Sequence, residues 1–185
     1  MNAPALVLGE DLGIVPPNGC SFVIVPVVVD QGVPWDQAIK SAAPDTPDSY
    51  RIYRVAGHYL LESSARVKRK IGLLYAMPGK DINFFRADAW AKSTGHLRYS
   101  HPRDALAFAK SRPVIHRELD LRCPDGMNAV SIVSTIVCNH ERLPSIAYWD
   151  VADDRNHPNG VRRVAGLTKL ITKRDSPMAF AFRVD

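Results

Sequence analysis

Apolar residues recur along this chain with two periods, one of strands and one of helices. The run CSFVIVPVVVD (20–30) is β-branched and almost wholly apolar, which predicts a buried strand. Pro26 lacks an N–H, so that strand is expected to lie at an edge, to bulge or to break there. In ARVKRKIGLLYAM (65–77) Val67, Ile71, Leu73 and Tyr75 share one side, and Arg66, Lys68 and Lys70 the other. Alternation places Arg69 on the inward side with the apolar residues. With RIYRVAGHYLLE (51–62) before it and a polar tip at Glu62–Ala65, a β-hairpin is expected. AVSIVSTIVC (129–138) and PSIAYWDV (144–151) predict a second hairpin, and MAFAFRV (178–184) a terminal strand docked in a sheet. In that strand Met178, Phe180, Phe182 and Val184 face one way and Ala179, Ala181 and Arg183 the other.

Three segments carry the helical period. In VPWDQAIKSAAP (33–44), Trp35, Ala38, Ile39 and Ala42 form one face, Pro34 suits the first turn and Pro44 stops the helix. DINFFRADAWAKSTG (81–95) places Ile82, Phe85, Ala89 and Lys92 on one face, with Gly95 as a C-terminal cap. A further helix is expected after Ser100 as N-cap, with Pro102 in its first turn, Asp104 favouring the dipole, Leu106 and Ala109 inward, and Pro113 closing it. Residues 81–111 thus read as a helical hairpin, and His116–Glu118 as the start of a strand. GVRRVAGLTKLITKRD (160–175) fits helix and strand alike.

Strands that do not alternate strictly with helices, and no G-x-G-x-x-G after a strand, speak against a dinucleotide-binding fold. The expectation is an α+β fold: a mainly antiparallel sheet with two to four short helices packed on one face, in a single domain spanning 1–185. A length of 185 residues suits one such core without staples. Hydrophobic residues at 46% and charged residues at 23% exclude a disordered or fibrous chain, and no apolar run approaches the ~20 residues of a membrane span.

Charge changes the picture. Residues 1–50 hold one base, Lys40, against six acids, whereas 51–185 hold 23 bases against 13 acids. An acidic N-terminal part beside a basic body points to an anionic partner or to internal neutralisation. Three cysteines (Cys20, Cys123, Cys138) at wide spacings do not form a disulfide framework, and the start MNAPALVLGEDLG lacks a basic n-region. A reducing, cytoplasmic setting is expected.

Candidate chemistry gathers in 138–157. Cys138 and His140 sit two residues apart, as a thiol and its base would on one strand face, with Asp150 as a third, more distant member. Asp150, Asp153, Asp154 and His157 offer oxygen and imidazole ligands to a divalent ion, although DDRNHPNG reads more simply as a polar turn. No cofactor is expected. Cationic candidates for nucleic acid or another anion form two clusters: Arg51, Arg54, Arg66, Lys68 and Lys70 on the hairpin, and Arg162, Arg163 and Lys173 later in the chain.

The segment DAWAKSTGHLRYSHPRDALAFAKSRPVIHREL (88–119) resembles a segment of small uncharacterised proteins of bacterial and phage origin. The resemblance implies no activity and no site residue. The functional expectation is a non-enzymatic macromolecule-binding protein, of phage or mobile-element origin, acting by protein–protein contact, with no membrane partner. A basic nucleic-acid-binding module is the first alternative. A small metal-dependent or cysteine hydrolase using residues 138–157 is the second.

Overall fold

Two short strand residues open the sheet of the computed structural model, which describes residues 5–47, 65–140, 143–170 and 176–185. They form β1 (Val7–Leu8), followed by β2 (Cys20–Asp30), α1 (Trp35–Ala42), β3 (Arg66–Ala76), α2 (Phe84–Thr94) and β4 (Leu97–Tyr99). Then come α3 (Pro102–Ser111), α4 (Ile115–Glu118), β5 (Ala129–His140), β6 (Leu143–Asp153), β7 (Val161–Lys169) and β8 (Met178–Val184). The strand order is β1-β2-β3-β8-β5-β6-β7, with β4 pairing the end of β8. Every pairing is antiparallel except β5 with β8. The fold is α+β with a mainly antiparallel sheet, as expected.

The last strand is an inner one because both its faces have a partner. Phe180 and Phe182 bury against Phe22, Leu74 and Phe84, whereas Ala179 and Ala181 lie among Ile71, Leu73, Phe108 and Ile132 on the opposite face. Small residues on one side let α3 approach closely, while the rings fill the other side beneath α2. Phe22 and Phe182 each pack edge-on against Trp90, at 5.1 and 6.0 Å between ring centroids.

Helices therefore cover both faces rather than one. The reason lies in β4, whose three residues continue the chain from α2 into the sheet beside β8 and deliver α3 to the far side. What reads as a helical hairpin is thus a crossing. α2 is also rotated by one residue from the expected stripe. Asn83 is its N-cap, with the side chain accepting from Arg86 N at 2.9 Å, so Ile82 precedes the helix. The buried face is Phe84, Ala87 and Ala91, and Phe85 is 58% exposed. Gly95 is the left-handed C-cap.

Ser100 is not the cap of α3. His101 is: its Nδ1 accepts from Arg103 N at 3.1 Å, and Asp104 Oδ2 accepts from His101 N at 2.9 Å, a capping box. Ser100 serves the sheet instead. The β5–β8 pairing ends at Val133, where β5 bulges, and the hydroxyls of Ser100 and Thr135 both donate to Ala181 O (2.7 and 2.9 Å) in place of a backbone ladder.

Three further expectations resolve. β3 is bonded to β2 along its whole length and to β8 over Lys70–Tyr75; the first strand of the expected hairpin lies outside the described residues. Residues 115–118 are helix α4, not a strand start, and 161–169 are strand β7. Pro26 sits where β1 no longer covers β2, so its missing N–H costs no ladder bond on that edge. At the other edge, β7 is bonded by Asp45 and Thr46, whose side chains accept from Arg163 N and Ala165 N at 2.8 Å each.

Candidate anion-binding site

Within 138–157 the polar side chains are distributed, not convergent. Cys138 pairs with Ser145 near the end of the β5–β6 hairpin that also carries His140, whereas Asp150 pairs with Ser131. Five residues of strand separate those two positions on β6, roughly 17 Å at about 3.3 Å per residue. Asp150 accepts from Ser131 Oγ at 2.6 Å. The thiol of Cys138 is half-buried.

The four candidate metal ligands each serve another contact. Asp153 Oδ1 accepts from His116 Nε2 at 2.9 Å and from Arg117 Nε at 2.7 Å. Asp154 receives the N–H of Asn156 and closes the turn expected for DDRNHPNG, with its own N–H donating to Gly160 O. His157 Nε2 meets Asp45 Oδ1 at 3.0 Å, tying the turn to the end of α1. Among the described residues no three His, Cys, Asp or Glu side chains come together as a metal site.

The His116–Asp153 pair has the polarity of a catalytic dyad but not its access. His116 is fully buried, and its Nδ1 has no hydrogen-bond partner among the described residues. Burial pushes the His116 pKa down, with the Asp153 contact opposing it only in part. Burial alone would raise the Asp153 carboxyl; hydrogen bonds from His116 and Arg117, with the Arg117 charge, outweigh it and hold it below the usual range. Asp153 is therefore ionised and an acceptor, which places the proton of neutral His116 on Nε2. The pair fastens α4 to the end of β6.

The cationic candidates divide differently. Arg51, Arg54 and Lys173 lie outside the described residues. Arg162 is exposed and Arg163 half-buried, both on β7. Four strand spacings separate β7 from β3, about 19 Å. Arg66, Lys68 and Lys70, by contrast, alternate outward along β3 with steps of roughly 6.7 Å, as the strand period requires.

Their setting is the uncovered end of one sheet face. The covered part ends where Phe22 lies over Gly72; beyond it Lys70 stands opposite Pro26, Lys68 opposite Val28 and Arg66 opposite Asp30, all exposed. Val28 is 44% exposed. A groove of about 610 Å³ lies at this end of the sheet, with Lys68 and Lys70 from this face and Arg69, Arg98 and Arg183 from the opposite face in its wall, beside Pro26, Val67 and Val184. Among the described residues that line it, Asp185 is the one carboxylate, held by Arg98 at 2.6 Å.

Arg98 and Arg183 escape the sequence reading because they come from strands remote from the basic run. The alternation of β8 does place Arg183 opposite its phenylalanines, and that of β3 places Arg69 inward; both signals were legible. Asp104, on α3, draws the two arginines together: Arg183 Nε donates to Oδ2 at 2.5 Å and Arg69 Nη1 lies 3.5 Å from Oδ1. A second hollow, about 530 Å³, is lined mainly by apolar residues such as Met77, Ile82 and Leu121, and its Arg122 is paired with its Asp120. The positive groove is the stronger candidate. Among the described residues no helix is long and apolar enough to cross a membrane. No protein-family model, curated protein or solved structure matches this chain, so the reading of the groove rests on its own residues.

Proposed function

We propose that the chain is a non-enzymatic macromolecule-binding protein that engages a polyanion, a nucleic-acid strand, through the basic groove at the open end of its sheet. The observation that carries this reading is the row Arg66, Lys68 and Lys70, exposed on one strand face, of which Lys68 and Lys70 line the groove. Regularly spaced exposed cations neutralise successive phosphates and release counterions, the sequence-independent source of nucleic-acid affinity. A protein partner is the second reading. It is favoured by Pro26 and Val28 beside the row and by the lack of an aromatic stacking platform among the groove residues described. A phage or mobile-element origin, which the resemblance of 88–119 implies, suits both partners.

Fluorescence anisotropy with labelled duplex and single-stranded oligonucleotides, repeated over a salt series, tests the proposal. Replacing Arg66, Lys68 and Lys70 together by glutamine should lower the slope of log K against log salt by about 0.9 per lost duplex contact and about 0.7 per lost single-strand contact. A wild-type chain that ignores both oligonucleotides at low salt refutes the nucleic-acid reading. Capture of a partner that survives nuclease treatment and is lost in the triple variant would support the second.

A further inference from the structure

We propose that the open end of the sheet selects a single, unpaired nucleic-acid strand over a duplex, with phosphates along the β3 cations and base faces on the apolar column of Pro26 and Val28 beside them. This rests on the nucleic-acid reading and adds to it the class of strand and the residues that select it.

The ladder sets two columns side by side on one face. Arg66, Lys68 and Lys70 stand opposite Asp30, Val28 and Pro26, and all six are exposed. Gln31 N donates to Ala65 O, so the hydrogen-bonded pairs of β2 and β3 are the odd-numbered ones. The Lys68–Val28 and Lys70–Pro26 pairs are therefore of the other kind, with Cα atoms only about 4.5 Å apart and side chains at their closest. Pro26 lines the groove with Lys68 and Lys70, and Val28 is the next residue of its column. Among the described residues no acid pairs with the three cations; Asp30 Oδ1 accepts from Gly32 N at 3.1 Å. β1 meets β2 only at Val23 and Ile24, so no described strand flanks Val28 on its far side.

Each column suits a different part of a strand. Steps of roughly 6.7 Å set the three cations in line. Phosphates of one duplex strand wind about the axis and advance only about 3.4 Å along it, whereas an unpaired strand can straighten onto the row. Its bases are free of partners, and their faces can cover Pro26 and Val28. In a duplex those faces are stacked inside, and the apolar column stays wet. Asp30 ends the apolar column with a negative charge, which keeps phosphates on the β3 side. Phe22 over Gly72 closes the opposite end, so the row offers three phosphate positions.

The test separates apolar contact from charge. Anisotropy titrations of the full chain with a labelled single strand and with a duplex, each over a salt series, are extrapolated to 1 M salt, where counterion release no longer contributes. The affinity that remains should be larger for the single strand. Val28→Ser should lower that remainder about fivefold, leave both salt slopes unchanged and leave duplex binding unmoved. Should Val28→Ser fail to fold, Val28→Tyr decides: an aromatic face at the same place should raise single-strand affinity about tenfold without helping the duplex. Equal remainders for the two oligonucleotides, or a folded Val28 variant that binds the single strand as the wild type does, overturn the inference and leave the groove reading standing. A wild-type chain that binds neither oligonucleotide at low salt overturns both.

Discussion

The guanidinium of Arg183 on β8 and the carboxylate of Asp104 on α3 meet at 2.5 Å, with Asp104 fully buried. This contact fastens an inner strand to the helix above it, and it joins the cap of that helix to the groove wall. Removing one partner of a buried ion pair leaves the other charge uncompensated. Asp104→Ala should therefore lower stability by about 3–5 kcal/mol in urea unfolding. Lys110→Ala, on the exposed side of the same helix, should change it by less than about 0.5 kcal/mol. Equal effects in the two variants would show that the contact holds nothing.

Gly72 is required by a close approach rather than by its dihedral angles. A Cβ there would lie 2.0 Å from Cζ of Phe22, well inside the ring's van der Waals surface. Gly72→Ala should destabilise by about 1–3 kcal/mol through overpacking, and a second change, Phe22→Leu, should return part of the loss. Additive losses in the double variant would contradict that account.

Because β8 lies between β3 on one side and β5 and β4 on the other, the C-terminal residues are not an appendage. Deleting 178–185 should abolish folding, since it opens the sheet at an inner position. Phe180→Ala alone should cost about 3–5 kcal/mol, the range for removing a fully buried ring. A truncated chain with an unaltered melting temperature would contradict the central placement.

His116 sets a pH dependence whose sign follows from its neutrality. Its folded pKa lies below the ordinary 6.5, chiefly through burial; Asp153 and Glu118 oppose that shift and Arg117 adds to it. The unfolded chain thus binds a proton that the folded chain refuses. The resulting stability is complete above about 6.5 and drains away as pH falls toward the folded value. Asp153, held below 3.8, contributes stability lost only at more acid pH, as its folded value is passed. Unfolding free energy of the wild type should fall between pH 7.5 and 5.5 more steeply than that of His116→Gln. Parallel curves would remove His116 from the explanation.

Thiol reactivity should order the three cysteines. Burial raises the Cys20 thiol above its ordinary value, with Arg86 opposing the shift, whereas Cys123 and Cys138 are half-buried. Iodoacetamide at neutral pH should label Cys123 and Cys138 in the native protein and Cys20 only after denaturation. Rapid native labelling of Cys20 would mean that β2 opens locally.

By itself the sequence determined which side chains share a face of a strand. The alternation of Phe180 and Phe182 against Ala179 and Ala181, the outward row Arg66, Lys68 and Lys70, and the inward Arg69 follow from the strand period of two. Such a period is local, and it holds whatever the neighbours are. Which strand lies beside which is a long-range matter, decided by competition among faces for partners of the right size. Only the packed sheet could put the last strand between β3 and β5, where its alanines admit α3 and its rings meet α2. The same packing turned three residues after α2 into β4, sent α3 to the opposite face, and drew Asp104 to two arginines on different strands. A buried carboxylate must find cations wherever the fold brings them, and no spacing along the chain states where that is.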